Sequence, residues 1–243
     1  MTRVEILPVE GIPEVREGDD VAALVAERMR LEDGDVVVVA QKVVSKAEGR
    51  VLRLDELEPS AEAVELAGTE DDPRRLEAIL RESARLVRVR GSLVIAETRH
   101  GFVCASAGVD ASNTGEAGVV VLLPLDPDDS ARRIRARLRE LAGVEVGVIV
   151  ADSFGRAWRQ GTTNVAIGAS GVPVLVDHAG QVDPDGYELH ATVIAVADEL
   201  ASAAELVMGK LDGVPAAIVR GYALRGDGDA RERVMPTERD LFR

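Results

Sequence analysis

The sequence is poor in cysteine, aromatic residues and histidine. Cys104 is the single cysteine among 243 residues, which excludes an intrachain disulfide and a cysteine-cluster metal site and fits a reducing cytoplasm. Aromatic side chains make up 2%, too few for a base-stacking platform for single-stranded nucleic acid, so the core must be built from Val, Leu, Ile and Ala. Long apolar runs are missing too: Val36 to Ala40 and Val119 to Leu123 are far too short to span a bilayer. The opening Met1-Thr2-Arg3-Val4-Glu5 lacks the apolar stretch of a signal peptide. A cytoplasmic protein with no membrane partner is expected. His100, His178 and His190 are too scattered to suggest a metal triad.

Acidic residues are in excess, 43 against 29 basic ones, giving a net charge of −14; this argues against nonspecific nucleic-acid binding. With 46% hydrophobic and 30% charged residues, the composition is that of a folding globular chain. Neither G-x-x-x-x-G-K-[ST] nor a strand-borne G-x-G-x-x-G is present, and no G-x-S-x-G elbow occurs. A bound nucleotide would need another device.

Periodicity and turn chemistry predict alternating strands and helices with no repeat and no linker. Strands are predicted at 4–7, 35–40, 93–97, 101–104, 119–123, 145–151 and 216–219. Helices are predicted from the Asp19-Asp20 cap to about Arg30, over most of 59–86, over 127–141 and over 190–208, the last stopping at Gly209. Residues 172–186 suggest a hairpin-like excursion. The fold class expected is mixed α+β.

Three places offer chemistry. Gln41 to Arg50 carries Lys42, Lys46 and Arg50 directly after a β-branched run, either a phosphate-holding positive cluster or a solvated strand end. Asp110, in a loop with Ser112 and Asn113, and Asp152, beside Ser153, each place a carboxylate near hydroxyl or amide groups. Such hard oxygens suit Mg²⁺ or Mn²⁺, and equally suit caps of turns or helix starts. Arg156 and Arg159, just beyond, could clamp an anion bidentately or pair with neighbouring acids.

Taken in order, Gly11-Ile12-Pro13, Gly18-Asp19-Asp20, Val37 to Arg50, Gly108-Val109-Asp110-x-Ser112-Asn113, Asp152-Ser153-Phe154-Gly155-Arg156-x-Trp158-Arg159-x-Gly161, Asn164 to Gly168 and Ala197 to Gly209 resemble the coenzyme F420-0:L-glutamate ligase (F420:gamma-glutamyl ligase) family across nearly the full chain. The resemblance implies a GTP-dependent ligase that joins L-glutamate to the carboxylate of coenzyme F420-0 and then adds further γ-linked glutamates through an acyl phosphate. It places guanine-nucleotide contacts on Gly11, Ile12, Pro13 and Glu14, on Gln41 and Lys46, and on Asn113. A first metal falls on Asp110 and Asp152 and a second on Ser153. Two Mg²⁺ or Mn²⁺ ions and K⁺ are the cofactors it brings in, with GTP as substrate. The implied architecture is a single domain over 1–243, α+β with mixed sheets, covering helices and two intertwined subdomains, assembled as a homodimer without the fused flavin-binding domain of some relatives. Catalytic roles for Arg156 and Arg159 are our reading of their position.

Two residues depart from the family pattern. Ser153 stands where many members have Thr, which keeps the hydroxyl. Lys210 stands where several archaeal members have Gln or Glu, and an ammonium cannot ligate a cation; it is expected to contact phosphate or to leave the second metal held differently.

Overall fold

The structure is a computed structural model that describes residues 3–69, 71–223 and 226–241. Strand β1 (Glu5–Pro8) leads to helix α1 (Val21–Ala26), and β2 (Val36–Ala40) runs directly into α2 (Gln41–Ala47). There follow β3 (Val51–Arg53), α3 (Ala61–Ala67), α4 (Pro73–Glu82), β4 (Ser83–Arg90), β5 (Leu93–Thr98), β6 (Val103–Ala105) and β7 (Val119–Val121). The chain returns through α5 (Pro127–Ala142) to β8 (Gly147–Arg156) and β9 (Arg159–Ser170). Then come β10 (Val176–Asp177), β11 (Val193–Ile194), α6 (Val196–Met208) and β12 (Ala216–Arg220).

The main sheet has the order β1-β12-β2-β8-β9. Only β2 and β8 pair in parallel; the other neighbours are antiparallel. Because side chains alternate across a sheet, the run Val36-Val37-Val38-Val39 buries both faces at once. Val37 and Val39 join Val148, Val150, Val25 and Leu138 beneath α1 and α5. Val36 and Val38 join Ile149, Leu200, Ala204 and Met208 beneath α6. Residues inserted between β2 and β8 build a third core around Leu54, Leu76, Ile79, Val94 and Val120. The expected α+β class with mixed sheets and covering helices is the one observed.

Several sequence boundaries move. The helical reading of 59–86 fails at its end: Ser83 Oγ donates to Ile79 O at 2.6 Å, and from there the alternating Val and Arg residues pair with β5 as a strand. The first helix ends at Ala26 rather than Arg30, and Arg28 instead donates to Gly11 O and Leu24 O. The helix expected from His190 begins at Val196, because Val193 and Ile194 pair with Asp177 and Val176. The strand expected over 145–151 runs on through Asp152 to Arg156. It is β8, which forms a long antiparallel ribbon with β9.

Candidate functional site

Ala40 lies opposite Ala151 in the parallel pairing of β2 and β8. The residues that follow each, Gln41-Lys42 and Asp152-Ser153, therefore emerge together at the carboxyl end of the sheet, where parallel sheets place ligands. A cavity of about 430 Å³ opens there, walled by residues from five segments: 12–15, 40–46, 110–113, 151–164 and 205–215.

Helix α2 supplies its cations by helical spacing: Lys42 and Lys46, four apart, share a face. Gln41 and Ser45 are buried and bond to each other, Ser45 Oγ donating to Gln41 Oε1 at 2.8 Å. Asp110 is carried by a loop whose backbone is fixed to β7, its N–H donating to Val121 O at 3.0 Å and its C=O accepting from Val121 N at 2.8 Å. Its side chain serves both as a turn cap and as the partner of Lys42. Asp110 Oδ1 caps the turn by accepting from Ser112 N at 2.7 Å, and Oδ2 accepts from Lys42 Nζ at 2.8 Å. Lys42 also donates to Ser112 O and Oγ. Lys46 donates to Asn113 O at 3.0 Å and to the Glu14 carboxylate. The two lysines thus tie α2 to the 110–113 loop and to the 12–15 segment.

The two aspartates are driven apart electrostatically. Burial raises the Asp110 carboxyl, but the hydrogen bonds from Lys42 and Ser112 together outweigh it and hold the group below its ordinary value. Asp152 is pushed up to about 6, first by burial; the Ser153 N–H opposes this, the charge of Asp110 adds to it, and Lys210 and Lys42 oppose it more weakly. Cys104 is buried, its thiol pushed up to about 12 by burial and then by the charge of Asp152; it packs as a small hydrophobe.

Ser153 Oγ donates to Asn164 Oδ1 at 2.7 Å, and Asn164 Nδ2 donates to Glu205 Oε2 at 2.8 Å. Asn164 and Glu205 fall within segments that carry the family resemblance, but neither is assigned a role from the sequence, because a β-register partner and a residue on α6 leave no local spacing signal that joins them to Ser153.

Of the residues named from the sequence, Ile12, Pro13, Glu14, Gln41, Lys46, Asp110, Asn113, Asp152, Ser153 and Lys210 all line the cavity. Gly11 stands just outside, its carbonyl accepting from Arg28 Nε at 2.7 Å. Arg156 and Arg159 are not brought to this cavity. They are exposed at the turn of the β8–β9 ribbon, where Arg156 reaches Gln160 O at 3.4 Å and Trp158 between them is 82% exposed.

Among the described residues no three His, Cys, Asp or Glu side chains form a metal nest. The donor set nevertheless suits a hard cation that completes its shell with water and phosphate, since it offers two carboxylates and the Ser153 hydroxyl. The raised Asp152 carboxyl is what a cation would relieve, by compensating the charge that Asp110 and burial disfavour. Lys42, Lys46 and Lys210 stand on the same wall.

Comparison with known proteins identifies a family. A family model described as F420-0:Gamma-glutamyl ligase matches residues 11–221. The protein of Methanopyrus kandleri named coenzyme F420:L-glutamate ligase is 53% identical over 248 residues, covering 99% of this chain and 97% of that one. Proteins of the same name from Methanothermobacter thermautotrophicus and Archaeoglobus fulgidus are each 46% identical. Both alignments cover 99% of this chain, with 99% and 97% of the relatives respectively. The matched span takes in every cavity residue from Ile12 to Pro215, and the chain belongs to the F420-0:gamma-glutamyl ligase family.

Proposed function

We propose that this protein is a GTP-dependent ligase that forms an amide between L-glutamate and the carboxylate of coenzyme F420-0, and then extends the product with γ-linked glutamates. The observation that carries the reading is the convergence of Asp110, Asp152, Lys42 and Lys46 on one cavity, in a chain whose relatives are named for this reaction.

A carboxylate is a poor acyl donor to an amine, so it must first be activated. In the proposed sequence an oxygen of the coenzyme carboxylate attacks the γ-phosphorus of GTP, and the bond to the β-phosphate oxygen breaks to release GDP. The glutamate amine then attacks the acyl carbon of the resulting acyl phosphate, inorganic phosphate leaves, and the nitrogen loses a proton. Divalent ions, Mg²⁺ or Mn²⁺, would supply charge neutralisation on the phosphoryl oxygens. Asp110 and Asp152 would hold one and Ser153 would contribute to a second; K⁺ is a further cation in this reading. Lys46 and Asn113, with Gly11 to Glu14 and Gln41, are assigned to the guanine nucleotide. Lys210, standing where the first metal's ligand Asp152 feels its charge, is assigned to phosphate.

Arg156 and Arg159 lie outside the cavity of their own chain, so the proposed action of these two on the anionic acceptor would have to be exerted on a second copy in the proposed homodimer. A cytoplasmic site of action belongs to the same proposal; among the described residues no helix is long and apolar enough to cross a membrane.

Incubation of the purified protein with F420-0, L-glutamate, GTP and Mn²⁺, followed by mass spectrometry, tests the reading. Glutamylated coenzyme with matching GDP and phosphate is expected. GDP without amide would make it a GTP hydrolase, and neither product would leave a nucleotide-binding protein without turnover.

A further inference from the structure

Three side chains on three elements form a line of hydrogen bonds along the cavity wall. Ser153 on β8 faces Asn164 on β9 in the strand register, and Ser153 Oγ lies 2.7 Å from Asn164 Oδ1. On the other side of the amide, Asn164 Nδ2 lies 2.8 Å from Glu205 Oε2 on α6. Asn164 is 5% exposed, and its backbone carbonyl is fixed by Ser202 Oγ at 2.7 Å. The amide therefore sits in a defined place, and only its orientation remains to be settled.

The chemistry of the ends settles it. An ionised carboxylate can only accept, so the Asn164 amide must turn its NH₂ toward Glu205. Its carbonyl oxygen is then left facing Ser153, and that oxygen can only accept as well. The serine hydroxyl has a single proton, and this geometry spends it on Asn164.

We infer that Glu205, acting through Asn164, sets the polarity of the Ser153 hydroxyl, so that Oγ meets the cavity with lone pairs and no proton. Such an oxygen suits a divalent cation and cannot donate to a phosphate oxygen. Glu205 and Asn164 are positioning residues for Ser153, in the way that outer carboxylates orient the groups that touch a metal. The inference rests on the cation-assisted reading of the cavity, and it names the part of the wall that makes Ser153 an acceptor. Replacing Glu205 with Gln would allow the side chain to donate, so the Asn164 amide could turn over and free the Ser153 proton to point inward.

The test is a titration of the intact protein with Mn²⁺ alone, reading unbound Mn²⁺ by electron paramagnetic resonance. Glu205→Gln is placed in three backgrounds: the native Ser153, Ser153→Thr and Ser153→Ala. Glu205→Gln is expected to weaken Mn²⁺ binding about ten- to a hundredfold where residue 153 carries a hydroxyl, and by less than about twofold in the alanine background, where there is no hydroxyl to orient. Asn164→Leu, which breaks the relay without removing the Glu205 charge, should reproduce the loss in the native background. Equal weakening by Glu205→Gln in all three backgrounds would make Glu205 a direct ligand or a bulk charge and overturn the inference. Unchanged affinity in the native background, or in Asn164→Leu, would overturn it too. The ligase reading fails separately: a protein that shows the expected Mn²⁺ pattern but forms no glutamylated coenzyme keeps the relay and loses the activity. One that forms product while Glu205→Gln binds Mn²⁺ normally keeps the activity and loses the relay.

Discussion

Lys42 Nζ lies 2.8 Å from Asp110 Oδ2, joining the first turn of α2 to a loop 68 residues further along the chain. The pair is mostly sheltered from water, with 15% and 31% of the two side chains exposed, so it fixes the loop and keeps Asp110 ionised beside Asp152. The same ammonium is the positive charge that a cation at Asp110 would supplement or displace.

Asp110→Asn and Asp152→Asn are each expected to abolish ligation while the protein remains folded. Each removes an anionic oxygen from the proposed cation site, a loss of several kcal/mol of transition-state stabilisation, or on the order of a thousandfold in rate. Turnover measured at limiting Mn²⁺, with circular dichroism as the check on folding, decides it. Near-normal turnover in either variant would remove that residue from the site and leave it the role of a turn or strand residue.

The Asp152 carboxyl, raised from 3.8 to about 6, makes two opposite pH predictions. Without metal, the folded protein favours the neutral acid. This stabilisation relative to the charged form is full below pH 3.8 and is lost as pH rises through about 6, by up to about 3 kcal/mol. With Mn²⁺, binding must displace the proton, so affinity rises from about pH 5 to 7 and then levels. Denaturation curves at about pH 5 and 7.5, with and without Mn²⁺, should show Asp152→Asn stabilised over the parent about twice as much at the higher pH, and only without metal. A metal effect independent of pH would contradict the assignment.

Lys46→Ala should raise the Michaelis constant for GTP by about ten- to a hundredfold, the worth of a charge-assisted contact of roughly 1.5–3 kcal/mol. The constant for glutamate should change far less, because the lysine stands between Glu14 and Asn113 on the wall assigned to the nucleotide. Equal changes for the two substrates would show that the substitution loosened the cavity as a whole.

Lys210 follows the Gly209 cap of α6, lines the cavity, and acts on Asp152 through its charge. If it supplies positive charge that a second cation supplies in relatives, Lys210→Gln should steepen the dependence of rate on Mn²⁺ and require more metal for saturation. Acting only as a cation at a helix end, it would be worth about 0.3–1 kcal/mol of stability and the two titration curves would coincide.

The sequence by itself determined the α+β class and most of the strands through local signals, while most of the named cavity residues came from the family resemblance of its motifs. Val36 to Val39 announce a strand buried on both faces. Asp72-Pro73 marks a helix start; that Lys42 and Lys46 share one helical face is visible only once α2 has formed. Of the two readings of Asp110, cap of a turn or ligand of a cation, the structure shows the cap through Oδ1, while Oδ2 takes Lys42.

Only the tertiary structure decided what each of these residues faces. The parallel register of Ala40 with Ala151 brings Lys42 and Asp152 to one sheet end, although 110 residues of chain separate them, and no spacing rule spans such a distance. The continuation of β8 through Arg156 carries Arg156 and Arg159 away from the cavity, while its pairing with β9 sets Asn164 beside Ser153. Strand register and helix packing are settled by burial of whole faces of the sheet, and local sequence carries half of each such contact; the other half is supplied by whichever distant segment buries against it.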